Sequence, residues 1–216
     1  MKDDFKNIVS TDWLEQHLEA PDIRIIDSSW YFPQEKRNAE QEFLECHIPG
    51  ASFFDIDKIK DNDSDLPHML PPSAMFNSTV RKLGIGDGHK VVIYDGLGMR
   101  SAARLWWMFK VFGYSDVVVL DGGFPKWVKE NRSTTAEITE KEIRHLTIYE
   151  DKSIVADRDD VLRATKLNHC SIIDARSEER FMGTAPEPRS GLRSGSIENS
   201  INVPYETLLN LSLIHI

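Results

Sequence analysis

KVVIYDGLGMRSAARLWWMFKVFGYSDVVVL, residues 90–120, is the stretch whose reading decides the fold. Lys90–Tyr94 and Val117–Leu120 are short, continuous runs rich in valine and isoleucine, the pattern of strands buried on both faces. Between them Ser101–Phe112 predicts a helix, and Gly113 stands where a helix is stopped by a residue free to take positive φ. Strand, helix and strand in that order argue an α/β domain with a mainly parallel sheet. Upstream, Ala74–Leu83 predicts a helix closed by Gly84, and residues 57–73 are polar and proline-containing. Further toward the N-terminus, Ser10 or Thr11 caps a helix through Leu18 whose apolar face carries Trp13, Leu14, His17 and Leu18. Ile23–Asp27 follows as a strand. Residues 33–46 suit an exposed helix, broken at His47-Ile48-Pro49-Gly50, after which Ala51–Asp55 runs extended.

The same order begins again downstream. Asp12-Trp13-Leu14 with Ile25-Ile26-Asp27 is echoed by Asp160-Val161-Leu162 with Ile172-Ile173-Asp174, and residues 47–54 by residues 196–203, at offsets of 148, 147 and 149. A tandem repeat is the reading this supports. The first unit is expected over residues 5–132, a polar linker over 133–152, and a second unit from 153 to 216. A full second copy would need to reach about residue 280, so the second unit is expected to be incomplete. Leu211–Ile216, back-translated as CTG TCT CTT ATA CAC ATC, resembles the mosaic end of a transposase sequencing adapter. Residues 211–216 are therefore expected to be non-native, the alternative reading being a native strand of alternating character.

Composition narrows the class. With 216 residues, 40% hydrophobic and 28% charged, the chain has globular rather than disordered usage. Its formal charge of -9 repels nucleic acid and anionic membranes. No apolar run is long enough to span a bilayer, and Met1–Lys6 has no apolar core of a signal peptide. Only two cysteines occur, Cys46 and Cys170, with no CxxC pair for zinc or redox work; a reducing cytoplasm is expected, and no metal or organic cofactor.

Ligand chemistry in parallel sheets gathers at the carboxyl ends of strands, which points to Asp95-Gly96-Leu97-Gly98-Met99-Arg100-Ser101. Gly96-x-Gly98 with Asp121 is a poor dinucleotide fingerprint, because Ser101 stands at the third glycine and Asp95 precedes the first. Cys46 and Cys170 are both expected to be buried structural thiols.

Asp27-Ser28-Ser29-Trp30, CHIPGASFFDID at 46–57, His68-Met69-Leu70-Pro71, Trp106-Trp107-Met108-Phe109 and Leu120-Asp121-Gly122-Gly123-Phe124 with Trp127 resemble the first half of tandem rhodanese-type sulfurtransferases. Asp174-Ala175-Arg176, Arg180-Phe181-x-Gly183, Pro186-Glu187-Pro188-Arg189 and Ser200–Pro204 resemble the start of their catalytic half. The resemblance covers about residues 8 to 210. It implies two rhodanese-like α/β units, the first catalytically silent with Asp95 at the loop position. The second would carry a cysteine at the start of the matching loop, which takes sulfane sulfur from 3-mercaptopyruvate or thiosulfate as a persulfide and passes it to a thiol or cyanide. The offset places that cysteine near residue 244, so this chain is expected to lack the nucleophile. Arg180 and Arg189 are implied to bind the donor's carboxylate and carbonyl, Arg189 within Pro186–Arg189 favouring 3-mercaptopyruvate. His47 either faces the cleft between units and helps position substrate or satisfies turn backbone. Asn38, where relatives often have Asp, and Ser196–Asn199, in place of a second His-Ile-Pro-Gly turn, put a polar relay there in doubt. The reading from another class is a non-catalytic binding module built on the silent unit. A cysteine followed by a glycine-rich loop beyond residue 205 would separate the two.

Overall fold

The computed structural model describes residues 7–167, 169–188 and 191–209. It divides into two compact units, Met1–Asp151 and Lys152–Ile216. Arg189 and residues 211–216 lie outside the described residues.

Unit 1 is a five-stranded sheet in the order β1-β5-β4-β2-β3, built from β1 (Ile8–Val9), β2 (Ile23–Asp27), β3 (Ser52–Phe53), β4 (Lys90–Tyr94) and β5 (Val117–Leu120). Every neighbouring pair is parallel. Side chains alternate across a strand, so each run of valine and isoleucine feeds two cores at once. Ile26, Val91, Ile93, Val117 and Val119 pack under α3 (Ser73–Lys82) and α4 (Ala102–Val111), joined by Phe76, Leu105, Phe109 and Phe112. Ile25, Val92, Tyr94, Val118 and Leu120 face the other way, covered by Leu14 of α1 (Thr11–Gln16), Phe43 of α2 (Ala39–Glu45) and Trp127 of α5 (Gly123–Lys129). Ser10 caps α1, its side chain accepting the Trp13 N–H, and Asn38 caps α2 in the same way on Gln41. Gly113 follows α4 at φ +77°, as expected of its position.

The stretch 133–151 has no helix or strand, yet it lies along unit 1. Thr135 and His47 exchange backbone hydrogen bonds of 2.9 Å, Tyr149 N donates to Phe112 O at 3.0 Å, and Leu146 is buried in the α3–α4 core. This segment, read from its polarity as a linker, is held by main-chain bonds that its composition does not signal.

Unit 2 contains α6 (Arg158–Ala164), β6 (Ile172–Asp174), α7 (Glu178–Phe181) and β7 (Ser200–Asn202). Asp157 caps α6 in a capping box with Asp160. β6 and β7 pair in parallel with Asp174 opposite Asn202, as β2 and β3 pair with Asp27 opposite Phe53. The local bonds match as well: Phe54 N donates to Asp27 O at 2.8 Å, and Val203 N to Asp174 O at 2.9 Å. Burial does not match. Ile25 and Ile26 are buried, whereas Ile173 is 64% exposed.

Candidate functional site

The loop after β4 is closed around its own first residue. Asp95 is fully buried; Oδ1 accepts the Leu97 N–H and Oδ2 the Ala102 N–H at the start of α4, each at 2.8 Å. A carboxylate therefore occupies the place toward which a strand-to-helix loop directs its N–H groups. Gly96 N donates to Ser29 Oγ at 2.8 Å, and a Cβ on Gly96 would lie 2.2 Å from the Tyr31 hydroxyl, so only glycine fits. Tyr31 cannot yield easily, since its hydroxyl donates to Glu42 and accepts from Arg37, each at 2.8 Å.

Beside this loop a cavity of about 230 Å³ is lined by Asp27, Ser29, Tyr31, Arg37, Cys46 and Phe124 among others. Asp27, at the end of β2, is buried and accepts the Ser29 N–H at 2.8 Å. Burial pushes its carboxyl up to about 6 against the hydrogen bonds from Ser29 and Tyr94, which favour the charged form. Both cysteines are exposed free thiols, which corrects the expectation that they are buried. Cys46 is the C-cap of α2 at the cavity's edge, and Cys170 lies ahead of β6 rather than inside the strand.

His47 is sealed within unit 1. Its Nδ1–H donates to Phe43 O at 2.6 Å, its ring stacks on Phe43 at 4.1 Å, and its backbone pairs with Thr135. It does not line the cavity beside it, and its Nε2 has no partner among the described residues.

In unit 2 the end of β6 carries a cluster of charge. Asp174 accepts the Arg176 N–H at 3.0 Å, as Asp27 accepts Ser29, but position 176 also brings a guanidinium. Arg176 forks onto Asp174 with Nε at 3.0 and 3.1 Å and Nη2 at 2.5 Å. Its Nη1 reaches Glu187 Oε1 at 2.8 Å, and Arg180 Nη2 reaches Glu187 Oε2 at 2.5 Å. The Arg180 guanidinium holds the Glu187 carboxyl below its ordinary value, and the Arg176 guanidinium does the same to Asp174. The structure thus joins Arg180 to Arg176 and Glu187, neither of which sequence reasoning placed in the site. The available signal was Pro186-Glu187-Pro188, a charged residue whose backbone is restricted on both sides. Among the described residues no group of three or more His, Cys, Asp or Glu side chains is placed to hold a metal ion, and no helix is long and apolar enough to cross a membrane.

The rhodanese-like domain model matches residues 10–130, more than half of the chain. The chain belongs to the rhodanese-like family. The "Thiosulfate/3-mercaptopyruvate sulfurtransferase 1, mitochondrial" of Arabidopsis thaliana is 42% identical over 94% of the chain and 59% of its own length. The 3-mercaptopyruvate sulfurtransferase of Rattus norvegicus is 39% identical over 95% of the chain and 71% of its own length. The crystal structure of SseA from Escherichia coli, described as a 3-mercaptopyruvate sulfotransferase, superposes with a TM-score of 0.87 at 36% identity, covering 97% of the chain and 79% of SseA. The chain thus spans less than two thirds of the Arabidopsis relative's length.

Proposed function

We propose that this chain serves sulfur transfer from a small anionic donor, the carboxylate-bearing 3-mercaptopyruvate ahead of thiosulfate, to a thiol or cyanide, and that its 216 residues do not perform it alone. The observation that carries the second half is Asp95. A carboxylate already satisfied by Leu97 N and Ala102 N occupies the loop of unit 1, and it offers no sulfur to attack a donor. Unit 1 is on this reading the silent copy of a tandem pair. The shared register of Asp27 with Phe53 and of Asp174 with Asn202 supports the pairing of the two units as copies. The donor class rests on Arg180, whose guanidinium matches a carboxylate, and on the names of the relatives. Arg189 is proposed as its companion. A substrate-facing role for His47 is not carried forward, because its ring is sealed on Phe43. The free thiols of Cys46 and Cys170 fit a reducing compartment such as the cytoplasm.

In the transfer itself a cysteine thiolate attacks the donor sulfur and the carbon–sulfur bond breaks. The carbon fragment takes a proton and leaves as pyruvate, and the persulfide then yields its outer sulfur to the acceptor. The test is an assay of the 216-residue chain and of a version extended past residue 244 with 3-mercaptopyruvate and cyanide. Thiocyanate is expected from the extended version only. Turnover by the short chain that vanishes on Cys46→Ser or Cys170→Ser would overturn the assignment. An extended version that binds donor and never turns over would favour the non-catalytic binding module.

A further inference from the structure

Arg180, proposed above to face the donor, is one end of a chain of four charges. Asp174, fixed at the end of β6, holds Arg176 by three contacts of 2.5 to 3.1 Å. Arg176 is tied down further by the carbonyl of Gly195, 2.8 Å from Nη2, which leaves Nη1 for Glu187. Glu187 is the link. Its side chain is 4% exposed, and each of its two oxygens takes one arginine. Arg180 comes last, 29% exposed on a helix of only four residues, with its Nε buried and without a partner among the described residues. Among the described residues Arg180 is anchored through Nη2, and the anchor runs back through Glu187 and Arg176 to a strand.

An arginine side chain has many rotamers to lose, and on so short a helix nothing in the backbone would hold its fork in one orientation. Glu187 supplies that hold. It is not free to act as a gate: swinging away from Arg180 would break its bond to Arg176 Nη1 as well, and strip a nearly buried carboxylate of both its cations. The cluster sums to zero, with Arg176 and Arg180 against Asp174 and Glu187. Its contribution to a donor is therefore direction rather than excess charge. Unit 1 has no counterpart, since Ser29 stands at the register position of Arg176.

We infer that Glu187 is a positioning residue that fixes the Arg180 guanidinium for an incoming carboxylate. This rests on the donor reading given above. The test follows the arginine Nε–H resonances of the 216-residue chain by NMR, with pyruvate as probe. In the wild type, pyruvate is expected to shift the Arg180 signal saturably. Glu187→Gln keeps the shape and removes the charge. It is expected to move the Arg180 signal toward that of a free arginine before any probe is added, to leave the Arg176 signal near its place, and to weaken pyruvate about tenfold. An Arg180 signal unchanged by Glu187→Gln, or pyruvate bound as tightly by that variant, overturns the inference. A wild-type Arg180 signal indifferent to pyruvate overturns the donor reading and the inference with it, and this failure is visible without any variant. Should Glu187→Gln unfold unit 2, Glu187→Asp decides by the same readings, since it keeps the charge and shortens the reach by one methylene.

Discussion

Asp27 and Asp174 hold the same place in their strand pairs and are shifted in opposite directions. Asp27 has only hydroxyl and N–H partners and is buried, so its neutral form is favoured; Asp174 faces the Arg176 guanidinium, so its charged form is favoured. For Asp27 the pKa of about 6 in the folded protein stands against an ordinary 3.8. A carboxyl raised on folding stabilises most below its unfolded pKa, and the advantage is lost as pH rises from about 4 through about 6, a difference of about 3 kcal/mol. Asp27→Asn stays neutral in both states and keeps an oxygen for the Ser29 N–H. Urea unfolding is expected to show the variant gaining on the wild type between pH 5 and pH 8. A difference between the two that does not change with pH would refute it.

Strands buried on both faces announce themselves. Ile23–Asp27, Lys90–Tyr94 and Val117–Leu120 are observed with the bounds the apolar runs predict, because burial on two sides demands apolar residues without alternation. β1 gives no such signal with two residues, and it exists because β5 needs an edge partner, Val119 N donating to Asn7 O and Asp121 N to Val9 O. α5 was hidden for another reason. Gly122 and Gly123 open it at φ +72° and +56° and Pro125 follows, all poor helix formers, and what makes a helix there is tertiary: Trp127 fully buried on the α1 face with its Nε1–H on Ser133 O at 2.8 Å. Trp127→Ala is expected to cost about 3–5 kcal/mol in urea unfolding, and a loss below about 1 kcal/mol would show that α5 is not held this way. The site divides along the same line. Asp95 was legible as the residue after a buried strand, whereas the Glu187 bridge joins residues 176, 180 and 187, whose spacing would suit one face of a helix that Gly183, Pro186 and Pro188 forbid, so only the folded loop brings them together.

Stability is distributed unevenly over the whole chain. Among the described residues every buried apolar side chain belongs to unit 1, the last of them Leu146. Unit 2 has a two-stranded sheet of three-residue strands, and its Leu162, Ile173 and Ile201 are more than half exposed. A two-stranded pair with no apolar face covered is marginal in water, and surface ion pairs such as Arg163 with Asp160 add little. The cluster around Glu187 orders a loop without supplying a core. Unit 1 is the reverse case, with two apolar cores on opposite faces of a five-stranded sheet. Local opening should therefore be frequent in unit 2 and rare in unit 1, and proteolysis follows the open population when reclosing is fast. Limited trypsin digestion is expected to cut first after Arg158, Arg163 or Arg176. A resistant fragment should then accumulate that begins near the N-terminus and ends at or soon after Lys152, despite sites such as Arg104 and Lys110 inside it. Deuterium uptake at Ile172–Asp174 should likewise run ahead of uptake at Ile23–Asp27. Cleavage within residues 8–151 at the rate seen in 153–209, or equal protection of the two strands, would show that unit 2 draws on stabilisation that its own burial does not provide.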